Sequence, residues 1–481
     1  MSGIMGFYLP SVLITSTSLI VMLMAALKRT HLLTNLITTV GLSLALLVQL
    51  AQLGKAPYQT SLILFDGTTT LVSTLLILAA WLLSLFLFNW LQNLKDPKEE
   101  YYLLLLLSTQ GALIVCASQH FASFFLGLEI MSLSLVPMIA YPGEDNQALE
   151  AGIKYLVLSA IASAFMLLAI AILYLYSGTL SIPELATKVP ELLSSGNIIN
   201  GCAIILLLVG ITFKLSLVPC HLWVADVYEG APVPTTALLA TVSKVALFVV
   251  LLRLFMLGEW HNQTALINII EVIAAASMII GNLLALLQKN LMRLLAYSSI
   301  AHFGYILLAI LALKPAIAIS NVDTLANEAA ITYLYAYLTT VVGIFLMLML
   351  LPETHHIDQL KGLFWQQRCK AVVLTLLLLS LAGIPLTIGF IGKFYLTLVA
   401  VNAQLWWLLA ALIIGSVMGL FYYLRIILVM IDQPESHSET EIITTHTQLL
   451  VMGVVILLVI GGGVFPSMVA ELVKEMIGLT F

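Results

Sequence analysis

Long apolar runs of about twenty residues, parted by short polar breaks, dominate the chain. A helix needs about 20 apolar residues to cross the hydrocarbon core of a bilayer. Fourteen such runs are expected, near 4–27, 32–53, 67–92, 101–118, 119–141, 154–178, 198–222, 231–256, 266–288, 293–314, 329–351, 370–400, 404–430 and 446–470. The fourth and fifth are parted only by Ser118-Gln119-His120. The longest connections, near 179–197 and 352–369, read as short linkers.

Composition turns these runs into spans. Of 481 residues, 61% are hydrophobic and 9% charged, where a soluble domain carries about 25% charged. So few charges cannot build a water-soluble surface, so the bilayer is the solvent. The expected fold is an all-α polytopic membrane protein, one domain over 1–481. The net charge of -5 comes with no basic cluster, which excludes nucleic acid as a partner. Cys116, Cys202, Cys220 and Cys369 share no metal-site spacing, so no metal is expected. No nucleotide-binding glycine motif occurs either. Lys28-Arg29 follows the first apolar run, the reverse of a signal peptide, so that run reads as a retained span.

Charge also orients the chain. Fourteen spans put both termini on one side. Eleven basic residues, Lys28, Arg29, Lys95, Lys98, Lys154, Lys289, Arg293, Lys361, Arg368, Lys370 and Arg425, fall in or beside the loops of the opposite side. Five, Lys55, Lys188, Arg253, Lys314 and Lys474, fall on the terminal side. The positive-inside rule makes the richer side cytoplasmic and places both termini outside, in a periplasm if the cell has one.

Three lysines remain, each well inside an apolar run: Lys214 in ITFKLSLVP, Lys244 in TVSKVALF and Lys393 in GFIGKFYL. Glu129, in FFLGLEIMSLS, joins them. A charge at mid-bilayer costs about 2.5–3.5 kcal/mol on insertion scales, a large cost for a scaffold alone. The structural alternative is a pair of buried salt bridges that hold the bundle together. Burial favours the neutral form of a lysine or a carboxylic acid, and an adjacent opposite charge restores the ionised form. A buried Lys–Glu system can therefore stand near the switching point that a proton relay needs.

Proline adds a second signal. Pro219 follows Lys214 by five residues, and Pro385, in LAGIPLTIGF, precedes Lys393 by eight. Each removes a backbone donor and clashes with the carbonyl four residues back, at Leu215 and Leu381. Broken helices paired across two halves of a chain mark transporter sites. The breaks fall in spans seven and twelve, five apart, so the spacing implies a five-helix repeat whose second copy is inverted. Spans 1–3 would occupy 1–100, the first repeat (spans 4–8) 101–256, the inverted copy (spans 9–13) 266–430, and span 14 446–470.

Lesser candidates have bland rivals. His302, in SSIAHFGY, could bridge Lys244 and Lys393 or be a packing histidine. Tyr422 and Tyr423 could extend a path or only pack. Glu150 and Lys154 could guard a cytoplasmic entrance or form a surface i,i+4 pair. Arg425 could snorkel to the surface.

Segment 211–236, ITFKLSLVPCHLWVADVYEGAPVPTT, resembles the central signature of the proton-translocating antiporter-like family. That family includes the L, M and N subunits of respiratory complex I and the large subunits of multi-subunit cation/proton antiporters. YSSIAHFGY at 297–305 and LAGIPLTIGFIGKFY at 381–395 match as well, and the resemblance runs from about residue 60 to 430. HLW…DVYEGAP and GFIGKFY favour the respiratory subunits over the antiporters. One departure is Val224-Ala225, where the family commonly carries threonine or leucine and then proline before the aspartate.

The resemblance implies that Glu129, Lys214, Lys244 and Lys393 are the proton-path residues. It implies a membrane subunit of NADH:quinone oxidoreductase, moving protons outward in a bacterial inner membrane while other subunits reduce quinone. No cofactor is expected on this chain; FMN, iron–sulfur clusters and quinone would belong to other subunits. Expected partners are the other membrane subunits, including neighbouring antiporter-like subunits and the lateral helix of subunit L, and membrane lipids. The alternatives are a subunit of a cation/proton antiporter and a non-conducting structural subunit.

Overall fold

The structure, a computed structural model, describes residues 2–27, 29–92, 94–141, 143–194, 196–258, 260, 263–313, 322–351, 355–433 and 446–479. Lys28 and Lys314, used above for orientation, lie outside the described residues. Helices α1 to α6 are Ser2–Leu27, His31–Leu50, Gly67–Gln92, Glu99–Ala117, Phe121–Ile139 and Asn146–Ser177. Helices α7 to α11 are Ile182–Ser194, Ile198–Leu215, Leu222–Gly230, Val233–Ala240 and Val242–Leu257. Helices α12 to α15 are Thr264–Leu286, Leu291–Ala312, Val322–Met349 and Leu363–Gln366. Helices α16 to α20 are Arg368–Ala382, Ile388–Asn402, Trp406–Ile431, His446–Val464 and Pro466–Ile477.

Among the described residues, twelve helical stretches are long and apolar enough to cross a membrane, or thirteen if the bent pair α19–α20 counts as one. The run expected at 370–400 is not continuous. It is divided into α16 and α17, of 15 residues each, both shorter than a full crossing. Helices α3, α10–α11, α13 and α14 form an almost wholly buried centre. Helices α1, α2, α6, α12 and α18 surround it and expose apolar side chains such as Leu47, Leu175 and Leu428. Lipid tails are as apolar as leucine, so this exposure carries no penalty there.

Close packing depends on glycine at several helix contacts, among them α4–α5 and α12–α13. A Cβ on Gly111 of α4 would lie 2.6 Å from the Met131 nitrogen and 2.7 Å from the Gly127 oxygen of α5. A Cβ on Gly281 of α12 would lie 2.9 Å from the Ala301 nitrogen of α13. Backbones can approach this closely only without a side chain.

The helix breaks at the two prolines share one construction. At the end of α8, Ser216 is left-handed at φ 60; its N–H bonds the Phe213 carbonyl, and Leu217 N–H bonds Thr212. At the end of α16, Gly383 is left-handed at φ 85; its N–H bonds Ser380, and Ile384 N–H bonds Leu379. This paired capping closes a helix that a following proline cannot continue. A third break, without proline, separates α10 from α11 at Thr241 (φ -117, ψ -75). There the Tyr337 hydroxyl donates to the Ala240 carbonyl at 2.9 Å.

Three connections hold more structure than their polar sequences suggest. A hairpin of β1 (Tyr58–Gln59) and β2 (Leu64–Phe65) pairs Tyr58 with Phe65 and Gln59 with Leu64. The stretch read as a linker at 179–197 contains α7. Phe121 N–H bonds Leu180 at 2.9 Å and Gln119 N–H bonds Leu62 at 3.0 Å, so the α4–α5 turn ties hairpin and α7 together. The last run continues past 470 as α20, turned by 90° from α19.

Two arginines are not where loop counting put them. Arg253 is no loop charge. It is buried in α11, 3.8 Å from the buried carboxylate of Asp66, and donates to the Ser118 carbonyl at 2.7 Å and the Thr69 hydroxyl at 2.6 Å. Arg425 does not reach outward. It is half-buried, and its guanidinium donates to the carbonyls of Leu286 and Gln288, the orphan acceptors at the end of α12.

Candidate functional site

Each lone lysine of the apolar runs sits at one of these breaks. Lys214 lies in the last turn of α8, Lys244 in the first turn of α11, and Lys393 in α17 beside the end of α16. A helix that stops inside the bundle leaves polar backbone ends there. The surrounding side chains are correspondingly polar.

Glu129 and Lys214 share a cradle made by two helix faces. Glu129 and Ser132 stand one turn apart on α5; Ser159 and Ser163 stand one turn apart on α6. The Ser163 hydroxyl donates to the half-buried Glu129 carboxylate at 2.6 Å. The Lys214 ammonium donates to Ser132 at 2.6 Å and to Ser159 at 2.7 Å. It also lies 5.9 Å from the Tyr155 ring centre.

Lys244 is fully buried. Its Nζ donates to Ser299 of α13 at 2.9 Å and lies over the rings of Tyr228 (5.7 Å) and Phe303 (5.4 Å). Favourable cation–ring contact is stronger in such a dry place. The neighbouring Ser298 shares a hydrogen bond with the Tyr423 hydroxyl. Tyr423 in turn lies 3.3 Å from His302 Nε2, and His302 Nδ1 is 2.7 Å from the Tyr333 hydroxyl. His302 is therefore bonded to two other helices, α14 and α18, in the space between Lys244 and Lys393.

Lys393 donates to the carbonyls of Leu381 (3.0 Å) and Ala382 (2.9 Å). These are the last carbonyls of α16, one of them the acceptor that Pro385 displaces. Its Nζ lies 5.6 Å from the Tyr305 ring centre. A cavity of about 10 Å³ separates it from His302, lined also by Tyr333, Tyr337, Thr340 and Ser380. That is the lower bound for one water. Tyr422 lies on a side branch: it donates to Asn282 at 3.0 Å, and Asn282 donates to Tyr305 at 2.8 Å.

Salt bridges do not hold these charges. Among the described residues, none of Glu129, Lys214, Lys244 and Lys393 has an oppositely charged partner within 4.0 Å. Hydroxyls and carbonyls hold them instead.

Glu150 and Lys154 belong to something larger than an i,i+4 pair. Lys154 bridges Glu150 at 2.7 Å and Asp226 at 2.9 Å. Arg293 then joins Asp226 to Glu229, and Asn290 donates to Glu229 at 2.8 Å. The network rims a cavity of about 150 Å³ between the starts of α6 and α13 and the end of α9. The sequence reading missed Asp226 and Glu229 as site residues. Their spacing, with Gly230, of three and four along a short helix was the available signal. It likewise missed the serines one turn from Glu129 and across from it.

A model of the NADH:quinone oxidoreductase/Mrp antiporter transmembrane family matches residues 118–419. The chain is 47% identical over 473 residues to NADH-quinone oxidoreductase subunit N of Shewanella woodyi, covering 98% of this chain and 99% of that protein. It is 41% identical over 487 residues to the protein of the same name from Ectopseudomonas mendocina, covering 97% and 95%. A chain of respiratory complex I from Thermus thermophilus with bound aureothin superposes with TM-score 0.80 at 28% identity, covering 96% of this chain and 98% of that one. A chain of the Mrp complex from Dietzia sp. DQ12-45-1b shares the fold, with TM-score 0.81 at 19% identity over 97% and 96% of the two chains.

Proposed function

The chain belongs to the NADH:quinone oxidoreductase/Mrp antiporter transmembrane family, and on that premise we propose that it is a proton-translocating membrane subunit of NADH:quinone oxidoreductase. Protons move outward along Glu129, Lys214, Lys244 and Lys393, driven by quinone reduction in other subunits. FMN, iron–sulfur clusters and quinone belong to those subunits, and the chain serves the enzyme as part of a translocase. Its setting is a bacterial inner membrane with both termini on the periplasmic side. Its neighbours are other antiporter-like subunits, the lateral helix of subunit L, and lipids. The matching caps after α8 and α16, and the matching glycine contacts of α4–α5 and α12–α13, favour two related halves at 101–256 and 266–430.

One observation carries this reading: Lys214 and Lys244 are buried in the bundle and Lys393 half-buried, each at a helix break, and among the described residues no carboxylate lies within 4.0 Å of any of them. A buried charge without an ionic partner is a poor way to stabilise a scaffold. Groups that bond a lysine through hydroxyls and carbonyls can serve both its charged and its neutral form, because a hydroxyl both donates and accepts.

In the resting arrangement Ser163 holds the Glu129 carboxylate, while Ser132 and Ser159 hold the Lys214 ammonium. The carboxylate steadies that charge from one turn away. Drawing Glu129 aside frees the proton for Lys244 and Ser299. From there the Ser298–Tyr423–His302–Tyr333 hydrogen bonds and the small cavity lead toward Lys393. Lys393 is only half-buried in the isolated chain, which suits release or transfer to a neighbouring subunit. Quinone chemistry biases which charge state is favoured, a coupling between distant sites.

The test is NADH-driven proton uptake in inverted membrane vesicles carrying Lys393→Ala, with the complex confirmed intact. Lost uptake with slowed quinone reduction is expected. Full uptake would refute the path at its Lys393 end.

A further inference from the structure

We propose that Tyr228 relays protons between the polar cavity at the ion network and Lys244, an inference that rests on the proton-path reading above. Helix α9 is nine residues long and has two working faces. Asp226, Glu229 and Gly230 line the cavity. At about 100° per residue, Tyr228 stands roughly opposite Asp226 on the same helix. Its ring lies under the Lys244 ammonium, 5.7 Å from Nζ to the ring centre. One short element therefore borders the cavity with its carboxylates and touches the fully buried lysine with its tyrosine.

The hydroxyl of Tyr228 is the notable atom. It is buried and meets no partner in full hydrogen-bond geometry, with the Ser299 hydroxyl beside it within reach of such a bond. Ser299 is the residue that accepts from Lys244. Buried tyrosine hydroxyls usually find a partner, and one left without a full bond is destabilising. A phenylalanine would fill the same space without that cost. The spare lone pairs and single proton of this hydroxyl fit a group that is engaged only in passing.

The matching position on α6 differs. Tyr155 follows Lys154 of the network and lies against Lys214, but its hydroxyl faces the Ser132 and Ser159 hydroxyls. It belongs to the Lys214 cradle.

The transfer balances simply. A proton handed on from the cavity side of α9 binds a lone pair of the Tyr228 oxygen as that oxygen's own proton passes to the Ser299 oxygen and the Ser299 proton leaves for the neutral amine of Lys244. At each hydroxyl one O–H bond forms and one breaks, and one N–H bond forms at Nζ as the incoming donor gives up its proton. The tyrosine ends neutral, and the positive charge has moved to Nζ. Rotation of the hydroxyl resets it.

The test uses the whole complex in inverted vesicles driven by NADH. Tyr228→Phe keeps the ring and removes only the hydroxyl. Proton uptake and coupled quinone reduction should fall below about a tenth of wild type, with unchanged subunit content. Tyr228→His supplies a different relay group and should recover uptake; a value as low as that of Y228F would mean a packing role and overturn the inference. Lys244→Met is measured alongside. Wild-type uptake in Y228F with loss in K244M would overturn the role of Tyr228 alone. Wild-type uptake in both would remove the path itself, and this inference with it.

Discussion

Lys393 closes the helix break that precedes it: its ammonium donates at 3.0 Å to the carbonyl of Leu381, twelve residues earlier. The side chain thus has a structural duty as well as the proposed chemical one. Removing it in Lys393→Ala leaves the carbonyls of Leu381 and Ala382 without this donor, an expected loss of about 1–3 kcal/mol. Lys393→Arg separates the two duties. An arginine can still donate to both carbonyls but does not release its proton. The expected outcome is near wild-type thermal stability of the purified complex together with lost proton uptake.

The serine cradle makes a graded prediction. Ser132→Ala or Ser159→Ala removes one of two hydroxyls from Lys214 and should cost about 1 kcal/mol, or about fivefold in coupled turnover. The double replacement should cost more than the sum, because Lys214 then has no remaining bonded partner among the described residues. A double-mutant cycle on NADH-driven proton uptake measures the difference.

For the ion network, position decides the magnitude. Glu150 holds one partly exposed partner, so Glu150→Gln should change stability by less than about 0.5 kcal/mol. Asp226 links Lys154 to Arg293, so Asp226→Asn severs the network at its middle. Slower proton uptake is expected in D226N and not in E150Q, with the difference shrinking at high salt, where exposed pairs are screened. Initial uptake rates across a salt series check this.

Gly111→Ala places a methyl group 2.6 Å from the Met131 backbone. Backbone at that distance cannot yield as a flexible side chain would, and overpacking of this kind costs about 1–3 kcal/mol or more. The expected outcome is less chain assembled in the membrane, read from subunit content. Gly453→Ala, where nothing lies within 4 Å of the added Cβ, should assemble normally.

Much of the candidate site is legible in the sequence. Lys214, Lys244 and Lys393 stand out because an apolar run offers no ordinary reason for a charge, and Pro219 and Pro385 announced two of the three breaks. The break at Thr241 carries no proline and left no local mark. Tyr422 and Tyr423 are ambiguous in the sequence, and Tyr333 is unmarked, because a tyrosine in an apolar run reads as packing until its hydroxyl is placed. Asp226 and Glu229 lay inside a recognised motif, yet their partners Lys154 and Arg293 come from far along the chain. The hairpin and α7 are fixed by bonds between separate connections, such as Phe121 to Leu180, which no local pattern encodes.

Two of the three lysines rest on the carboxyl ends of interrupted helices, Lys214 within the last turn of α8 and Lys393 on the last carbonyls of α16. Aligned peptide dipoles leave about half a negative charge at such an end. Unlike a carboxylate, that half-charge accepts no proton and does not titrate at any pH the bilayer survives. The bundle thus carries two permanent electrodes at places where the proposed path would hold a cation. Among the described residues of that path, Glu129 is the carboxylate that can be neutralised or swung aside, so on the proposed mechanism control over the row falls to a single side chain.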